Sequence, residues 1–334
     1  MKRLLSLLAC LSAVPALAAD PAPGKVKVKI TETTFDFMIG DELVARYHKG
    51  PDVAKPYFWP LNAPGGVPVT RGWPMQKGLP KESTDHVHQK SAWFCHGDVI
   101  PEGLELKVRS ADKNVKGVDF WSEGKGHGII ACVTVAGYSD EGGVARIPML
   151  NEWRTADGTK VLDEHRTVTV RDLGDGRLII LQIDLHASVC PITFGDTKEG
   201  SMGVRVNDEI KVKGGNGTGT YVNAAGEANE KDVWGRRSDW NDYSGKVGGQ
   251  AVGIAIFDHP KNKNRACWHS REYGLMAANP FGRAASGFPN VKGQTELVKL
   301  AKDEHLRLKY GILLHRGDAK EGKVAEHFAA FAKE

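Results

Sequence analysis

The sequence predicts an all-β protein, a large antiparallel β-sandwich that ends in one C-terminal helix. Three observations favour this fold class. Short segments with strand-like patterns recur along the chain, turns rich in glycine and aspartate separate them, and helical periodicity is confined to the C-terminus. Strands and helices do not alternate, which argues against a parallel sheet.

The strand segments follow one another at short intervals. Lys25-Val26-Lys27-Val28-Lys29-Ile30 alternates polar and apolar residues, as a strand with one solvent-facing side does. Asp157-Gly158 lies between two strand-like runs and predicts a hairpin turn. Ten further segments are predicted strands: residues 35–39, 42–47, 104–108, 129–135, 146–153, 160–170, 178–188, 202–206, 250–257 and 305–314.

The only convincing helical pattern lies near the C-terminus. Residues 320–333 carry Val324, Phe328 and Phe331 at spacings of four and three, which place them on one face of a helix. This pattern predicts one amphipathic helix.

The N-terminal residues predict export. Lys2 and Arg3 precede a short apolar run at residues 4–14, and Ala16-Leu17-Ala18 supplies the small residues of a signal-peptidase site. We therefore predict a signal peptide over residues 1–18, a linker over residues 19–24, and a single domain over residues 25–334. The expected location is periplasmic or secreted. No later run approaches the roughly eighteen apolar residues of a membrane-spanning helix, so no membrane span is predicted.

Charge and cysteine content limit the partners and the chemistry. The net charge of +4 is distributed without a basic block, so nucleic acid is not an expected partner. Export permits disulfides between Cys95, Cys132, Cys190 and Cys267, but the apolar surroundings of two of these cysteines favour free thiols. No CxxC pair supports a zinc site.

Two segments concentrate side chains that can carry chemistry. Residues 84–98 contain three histidines, two aspartates, a lysine and a tryptophan, and residues 258–273 repeat this chemical character. We interpret the two segments as two walls of one pocket, and the catalytic and binding candidates come mainly from them.

The catalytic candidates are histidines and one carboxylate. On a strand, His86 and His88 would share a face, where they suit proton transfer or metal ligation. Glu199 beside a lysine suits a general base, although a surface ion pair has the same pattern. His259 follows a strand, and His269 lies between an aromatic and a basic residue. Each histidine has an alternative structural role in a turn or in the core.

Eight further residues are candidates for substrate binding. A tryptophan face suits stacking on a sugar ring, an arginine suits a bidentate contact, and tyrosine or asparagine suits hydrogen bonds to hydroxyls. Core packing, ion pairs and turn formation are the structural alternatives. The candidates are Arg71, Trp93, His96, Arg205, Trp268, Arg271, Tyr273 and Asn279.

Longer motifs that contain these candidates resemble the PmoA-like family of bacterial proteins, which often carry the label methane oxygenase PmoA. The resemblance covers nearly the whole chain after the signal peptide and implies a galactose-mutarotase-like β-supersandwich. This chain has His86-Val87-His88-Gln89 where relatives often have His-Pro-His-His. The motifs are Thr70-Arg71-Gly72-Trp73-Pro74, Asp85-His86-x-His88, Ser91-x-Trp93-Phe94-x-His96-Gly97-Asp98-Val99, Val118-Asp119-Phe120-Trp121, Gly195-Asp196-Thr197-Lys198-Glu199-Gly200, Val233-Trp234-Gly235 and Trp268-His269-Ser270-Arg271-x-Tyr273-Gly274-Leu275-x-Ala277-Ala278-Asn279-Pro280-Phe281-Gly282.

Three functions are compatible with these residues. The first is an exported carbohydrate-active enzyme that performs acid/base chemistry of the epimerase, lyase or hydrolase type on a sugar or glycoside. The second, implied by the family label, is a metal-dependent oxygenase with His86 and His88 as ligands. The third is a sugar-binding protein without catalysis. We favour the first, with a small molecule or oligosaccharide as substrate; no cofactor is favoured, and a transition metal stays an open alternative.

Overall fold

The computed structural model describes residues 22–214 and 216–334 and is built almost entirely from strands. The signal peptide predicted at residues 1–18 and the first part of the linker lie outside the described residues. Two helices are present in the described chain, α1 (Asn229–Val233) and α2 (Val324–Phe331). The strands are β1 (Val26–Ile30), β2 (Thr34–Ile39), β3 (Glu42–His48), β4 (Tyr57–Ala63), β5 (Val67–Pro68), β6 (Ala92–His96), β7 (Val99–Pro101), β8 (Ile129–Val135), β9 (Ala145–Arg154), β10 (Lys160–Asp172), β11 (Gly176–His186), β12 (Ile192–Phe194), β13 (Gly200–Arg205), β14 (Thr220–Asn223), β15 (Trp240–Val247), β16 (Gln250–Asp258), β17 (Cys267–Trp268), β18 (Leu275–Asn279), β19 (Val298–Leu300) and β20 (His305–Arg316).

The strands form two large antiparallel sheets and one small one. A nine-stranded sheet runs in the order β1-β2-β3-β4-β6-β13-β18-β17, with β5 paired to β4. An eight-stranded sheet runs in the order β14-β15-β16-β20-β11-β10-β9-β8, and β19-β12-β7 forms the third. The predicted all-β antiparallel sandwich with one C-terminal helix is therefore confirmed.

The main hydrophobic core lies between the two large sheets. On β6, the ring of Phe94 lies 6.2 Å from Trp153 and 6.1 Å from Tyr310, both on the eight-stranded sheet. Because side chains alternate along a strand, the neighbouring Trp93 and Cys95 point to the opposite face. That outer face of the nine-stranded sheet carries the cavity described below.

A second, smaller core lies on the outer face of the eight-stranded sheet. There α2 covers Leu178, Ile180, Phe257 and Leu313 with its own apolar residues, including Phe331. The helix is shorter than the predicted segment 320–333, because it begins at Val324 and ends at Phe331.

Most predicted strands are present with ends that differ by one or two residues. Residues 104–108 are an exception: they form bends and irregular chain, so this strand prediction was wrong. The expectation that His86 and His88 share a face of a strand was also wrong, because both lie in the loop before β6, and His86 has a positive φ of 43°.

Strands without a polar face escaped prediction. Leu275–Asn279 and Ala92–His96 are buried at every position, so they show no polar alternation that could reveal them. These two strands flank β13 in the nine-stranded sheet and position the loops of the cavity.

The four cysteines of the described chain are free, with Cys95 and Cys267 buried and Cys132 and Cys190 partly buried. Among the described residues, no helix has the length and hydropathy needed to cross a membrane.

Candidate functional site

A polar cavity of about 870 Å³ lies over the outer face of the nine-stranded sheet. Its walls come from the loops before and after β6, the loop before β13, Tyr273 before β18, and the segments around residues 112–122 and 284–297. This volume lies within the roughly 300–1,000 Å³ typical of small-molecule sites. His86, His88, Glu199 and Tyr273, selected from the sequence, all line it.

His86 is held by a carboxylate. Its Nδ1 atom lies 2.9 Å from Oδ2 of Asp85, and no described residue hydrogen-bonds the Nε2 atom. A hydrogen bond from Nδ1–H to Asp85 leaves Nε2 as an acceptor, the tautomer that a general base requires.

Two buried arginines fix Asp85 in turn. Arg71 and Arg205 both donate to Oδ1, with the Nη2 atom of Arg205 at 2.9 Å. Burial would raise the pKa of Asp85, but the hydrogen bond from His86 and the charges of the arginines outweigh it and hold the pKa below its usual range. Asp85 is therefore ionised at neutral pH. Both arginines, predicted to bind substrate, instead position the carboxylate that orients His86.

Tyr273 supports the same imidazole from the other side. The rings of His86 and Tyr273 are stacked, with centroids 5.2 Å apart and planes 5° apart. The guanidinium of Arg205 lies 4.7 Å from the centroid of the Tyr273 ring. The carboxylate, the arginine and the phenol thus restrict the orientation of His86.

His88 lies beside His86 but in a different electrostatic environment. Burial, followed by the charges of Lys55 and His86, lowers the pKa of His88 to about 3. The ring is therefore neutral at pH 7, and it makes no hydrogen bond to a described residue. It lies 6.4 Å from the ring of Trp121.

Trp121 packs beneath the cavity. It is 1% exposed, packs at 5.0 Å on Trp93, and lies across Gly203 of β13. Its main chain is tied down, since Lys55 donates to the carbonyl oxygen at 3.1 Å and to Glu123 at 2.7 Å.

Glu199 supplies a carboxyl group on the same cavity. Its main chain is fixed at the start of β13, where its carbonyl oxygen accepts from the N–H of Gly97 at 2.8 Å. The carboxyl group makes no hydrogen bond within the described chain. Burial raises the pKa of Glu199; the charge of Lys198 opposes this effect and that of Asp119 adds to it. The charge of His86 also acts on this carboxyl group.

Four other carboxylates line the cavity. Asp112 accepts from the N–H of Asn114 at 2.9 Å in an exposed turn, and the other three also have structural partners. Asp119 accepts from the N–H groups of Trp121 at 2.7 Å and Ser122 at 3.1 Å. Asp98 accepts from the N–H of Gly117 at 2.7 Å. Asp196 accepts from the N–H groups of residues 283, 285 and 286 and holds that loop against the cavity. Glu199 differs from these three because its carboxyl oxygens are left for a ligand.

Four of the predicted binding residues are structural. Trp268 is fully buried and donates its indole N–H to Ser238, so it offers no face for a sugar. Asn279 donates to the carbonyl oxygen of Thr197 at 2.9 Å and accepts two N–H groups in a turn. His96 is buried on β6, with Nε2 at 2.9 Å from the carbonyl oxygen of Gly195. Trp93 lies in the hydrophobic core and packs beneath Trp121.

The second cluster divides between different parts of the molecule. His269 is buried near Trp234, and burial, followed by the charges of Lys198, Arg271 and His86, lowers its pKa to about 3. Arg271 pairs with Glu230, with Nε 3.1 Å from the carboxylate. Neither His269 nor Arg271 lines the cavity.

His259 is not part of this cavity. It lies at the end of β16 on the other large sheet, where its ring packs at 5.1 Å against Phe331 of α2. The single pocket expected from the sequence therefore joins residues 86–98 to Tyr273, but not to His259.

Among the described residues, no three His, Cys, Asp or Glu side chains are arranged to hold one ion. The rings of His86 and His88 lie 5.7 Å apart with their planes at 81°. The hydrogen bond from His86 to Asp85 is one that metal-binding histidines also make, so it does not distinguish a general base from a metal ligand.

Several lining residues were not selected from the sequence. Asp119, Trp121, Asp196 and Lys198 line the cavity, and all of them lie within the two motifs at residues 118–121 and 195–200 that carry the PmoA-like resemblance. The motifs contained the signal, but residue type alone did not distinguish these side chains from ordinary surface or core positions.

This all-β protein with a polar cavity on one sheet belongs to the family DUF6807, a family of unknown function, whose model matches residues 34–329. No curated protein matches the sequence. The PmoA-like resemblance stays a prediction.

Three solved structures show distant similarity. One is the galactosidase domain of the α-galactosidase–sucrose kinase AgaSK, with 8% identity, 89% of this chain and 41% of that chain covered, and a TM-score of 0.39. The GH36 α-galactosidase AgaB from Geobacillus stearothermophilus has 8% identity, coverage of 89% and 42%, and a TM-score of 0.39. A galactose mutarotase-like protein from Clostridium acetobutylicum has 9% identity, coverage of 89% and 99%, and a TM-score of 0.35. The chain spans about two fifths of the length of the two α-galactosidases.

Proposed function

We propose that the protein is an exported acid/base enzyme that acts on a sugar or glycoside in the cavity of His86 and Glu199. The observation that carries the proposal is that a proton acceptor and a carboxyl group with a raised pKa line the same cavity. His86 is oriented by Asp85 with Nε2 left to accept a proton. Glu199 is a half-buried carboxyl with a raised pKa and no hydrogen-bond partner in the described chain.

These two groups supply complementary proton transfers. The Nε2 atom of His86 withdraws a proton from a hydroxyl or an acidic C–H of the substrate. The carboxyl group of Glu199 delivers a proton to the oxygen or carbon that gains electron density. Each group is regenerated by the opposite transfer. General acid–base catalysis of this kind contributes roughly 10²–10⁴-fold to a rate. Epimerisation, elimination and hydrolysis all use this pair of transfers.

The remaining surface suits a polyhydroxylated ligand. Val115 and Leu297 provide partly exposed apolar surface, while Thr197, Ser122 and Asn114 provide hydrogen-bonding groups on the same cavity. A sugar presents apolar C–H faces and a rim of hydroxyls, which matches this combination.

The proposal is tested by incubating the protein in D₂O with a panel of aldoses, uronates and glycosides and following each by proton NMR. Anomer exchange, loss of a C–H signal, alkene formation and release of a free sugar are separate readouts. For any substrate that turns over, we expect His86→Asn and Glu199→Gln each to lower kcat by roughly 10²-fold or more. His186→Asn and Glu326→Gln, which lie on the other sheet and on α2, serve as matched controls.

Turnover unchanged in both site variants would overturn the proposal. Saturable binding of a sugar without chemical change would instead support the non-catalytic sugar-binding function. One copper, iron or zinc per chain, measured in protein purified without chelators or a histidine tag, would favour the metal-dependent oxygenase.

A further inference from the structure

A second cavity, of about 380 Å³, lies on the outer face of the eight-stranded sheet, beside α2. The apolar part of this face is covered by α2, but the sheet continues beyond the helix as a polar surface. Register places Thr167, Gln182 and Lys309 side by side across β10, β11 and β20. The side chains of Thr167 and Gln182 make no hydrogen bond to a described residue.

One wall of this cavity contains a buried donor without an acceptor. His259 is 2% exposed, and its Nδ1 atom accepts the N–H of Lys261 at 3.2 Å. The ring proton therefore belongs to Nε2, which is buried and has no hydrogen-bond partner among the described residues. Burying an unpaired N–H is unfavourable, so an acceptor supplied by a ligand would stabilise this arrangement.

Two lysines line the same cavity as this imidazole. Burial, followed by the charges of Lys309 and Lys261, lowers the pKa of His259, and the charge of Glu334 opposes this effect. Lys309 lies 5.1 Å from the centroid of Phe331 and 3.6 Å from a carboxylate oxygen of Glu334. Lys261 is exposed and forms no ion pair within the described chain.

Two carboxylates also line the cavity, and each has a cationic partner: Glu334 has Lys309, and Asp184 has Arg307 at 3.2 Å. A neutral donor beside the unpaired Lys261 is therefore a suitable environment for an oxyanion.

We propose that this groove binds the carboxylate or sulfate group of an acidic sugar. The oxyanion accepts the Nε2–H of His259 and lies between the ammonium groups of Lys261 and Lys309. The hydroxyls of the ligand contact Thr167 and Gln182 on the floor. This site is separate from the cavity of His86 and does not depend on the function proposed for it.

The experiment is a titration of the full chain at pH 7 and constant ionic strength, with the imidazole N–H and ring nitrogens of His259 followed by ¹⁵N NMR. The probes are sodium glucuronate, glucose and inorganic sulfate. We expect saturable shifts of His259 with glucuronate, weaker ones with sulfate, and none with glucose. Lys261→Glu should weaken glucuronate binding by about tenfold or more, as the loss of one charge-assisted contact does. Lys263→Glu, an exposed lysine two residues away, is the matched control.

Equal affinity in the Lys261→Glu and Lys263→Glu proteins would overturn the proposal, as would the absence of any saturable shift at His259. Equal binding of sulfate and glucuronate would also overturn the acidic-sugar assignment, leaving a site for a free inorganic anion. The variants His86→Asn and Glu199→Gln should bind glucuronate at His259 with unchanged affinity. The two proposals are therefore tested independently.

Discussion

The imidazole of His86 stacks on the phenol of Tyr273 with the ring centroids 5.2 Å apart. This contact joins two segments that lie 187 residues apart in the chain (273 − 86). Arg205 lies on Tyr273 and also pairs with Asp85, which holds the Nδ1 atom of His86. One buried arginine therefore links the stacking partner of the imidazole to its hydrogen-bonding partner.

We expect Asp85→Asn to change the tautomer of His86. Because both arginines donate to Oδ1, the amide NH2 of the asparagine faces Nδ1 of His86 and donates to it, which places the ring proton on Nε2. The ¹⁵N shifts of the ring should show Nδ1–H in the wild type and Nε2–H in the variant. Turnover of any identified substrate should fall by roughly 10²-fold or more.

Ser83→Ala is the control for this change. Its hydroxyl contacts both arginines at 3.2–3.3 Å but does not touch His86, so removal should leave the tautomer intact. An unaltered His86 spectrum in the Asp85→Asn protein would contradict the orienting role of Asp85.

Glu199 should titrate above its ordinary pKa of 4.5, because burial disfavours its ionised form. The positive charge of Lys198 partly offsets this effect, so Lys198→Gln should raise the pKa of Glu199 further. A carboxyl-carbon NMR titration of the two proteins measures both shifts. Lys77→Gln, at an exposed position outside the lining of the cavity, should leave the titration unchanged. A measured pKa of Glu199 at or below 4.5 would contradict its proposed role as a proton donor near neutral pH.

The sequence predicted the fold class because most strands keep one polar face. Segments 129–135 and 160–170 alternate or end in recognisable turns, and β8 and β10 begin at the expected residues. By contrast, β6 and β18 are buried at every position and were not predicted, because their periodicity carries no comparable signal. The equally buried β13 was predicted as residues 202–206.

The candidate site was predicted in part for a related reason. His86, His88 and Glu199 were selected as polar residues in dense motifs, and they do line the cavity. The same criterion selected Trp268 and Asn279, which satisfy polar groups inside the fold. Residue type indicates which chemistry a side chain can perform. Contacts between distant strands decide whether its hydrogen bonds are already satisfied inside the fold.

Gly203 should be required for the packing of Trp93 and Trp121 beneath the cavity. A Cβ atom at this position would lie 2.8 Å from Cζ2 of Trp93 and 3.2 Å from Cη2 of Trp121. Gly203→Ala should therefore displace Trp121 and destabilise the fold by about 1–3 kcal/mol, the usual cost of overpacking. Thermal unfolding and tryptophan fluorescence measure the two effects.

Gly124→Ala provides the comparison for this substitution. The nearest atom to its added Cβ would be 3.6 Å away, and its φ is not positive, so stability should change little. If Gly203→Ala and Gly124→Ala proved equally stable, with the same fluorescence, the close packing of Trp121 on β13 would be contradicted.

A buried ion pair should make the stability of the fold depend on pH. The Nε2 atom of His315 lies 2.7 Å from Oδ2 of Asp242, and both side chains are fully buried. Burial lowers the pKa of His315, but the charge and hydrogen bond of Asp242 outweigh it and raise the pKa above 6.5. The folded protein therefore binds this proton more tightly than the unfolded chain does.

The stabilisation from this pair is fully present below pH 6.5 and is lost as the pH rises through the folded pKa of His315. His315→Gln should cost about 1.5–3 kcal/mol at pH 5.5, typical of a lost hydrogen bond to a charged group, and less at pH 9. Urea unfolding of the wild type, His315→Gln and the surface control His186→Gln at several pH values measures this difference. If the free energies of unfolding of the wild type and His315→Gln ran parallel across this pH range, the pair would not hold a proton. If the two free energies converged at high pH, His315 would be identified as the group that releases it.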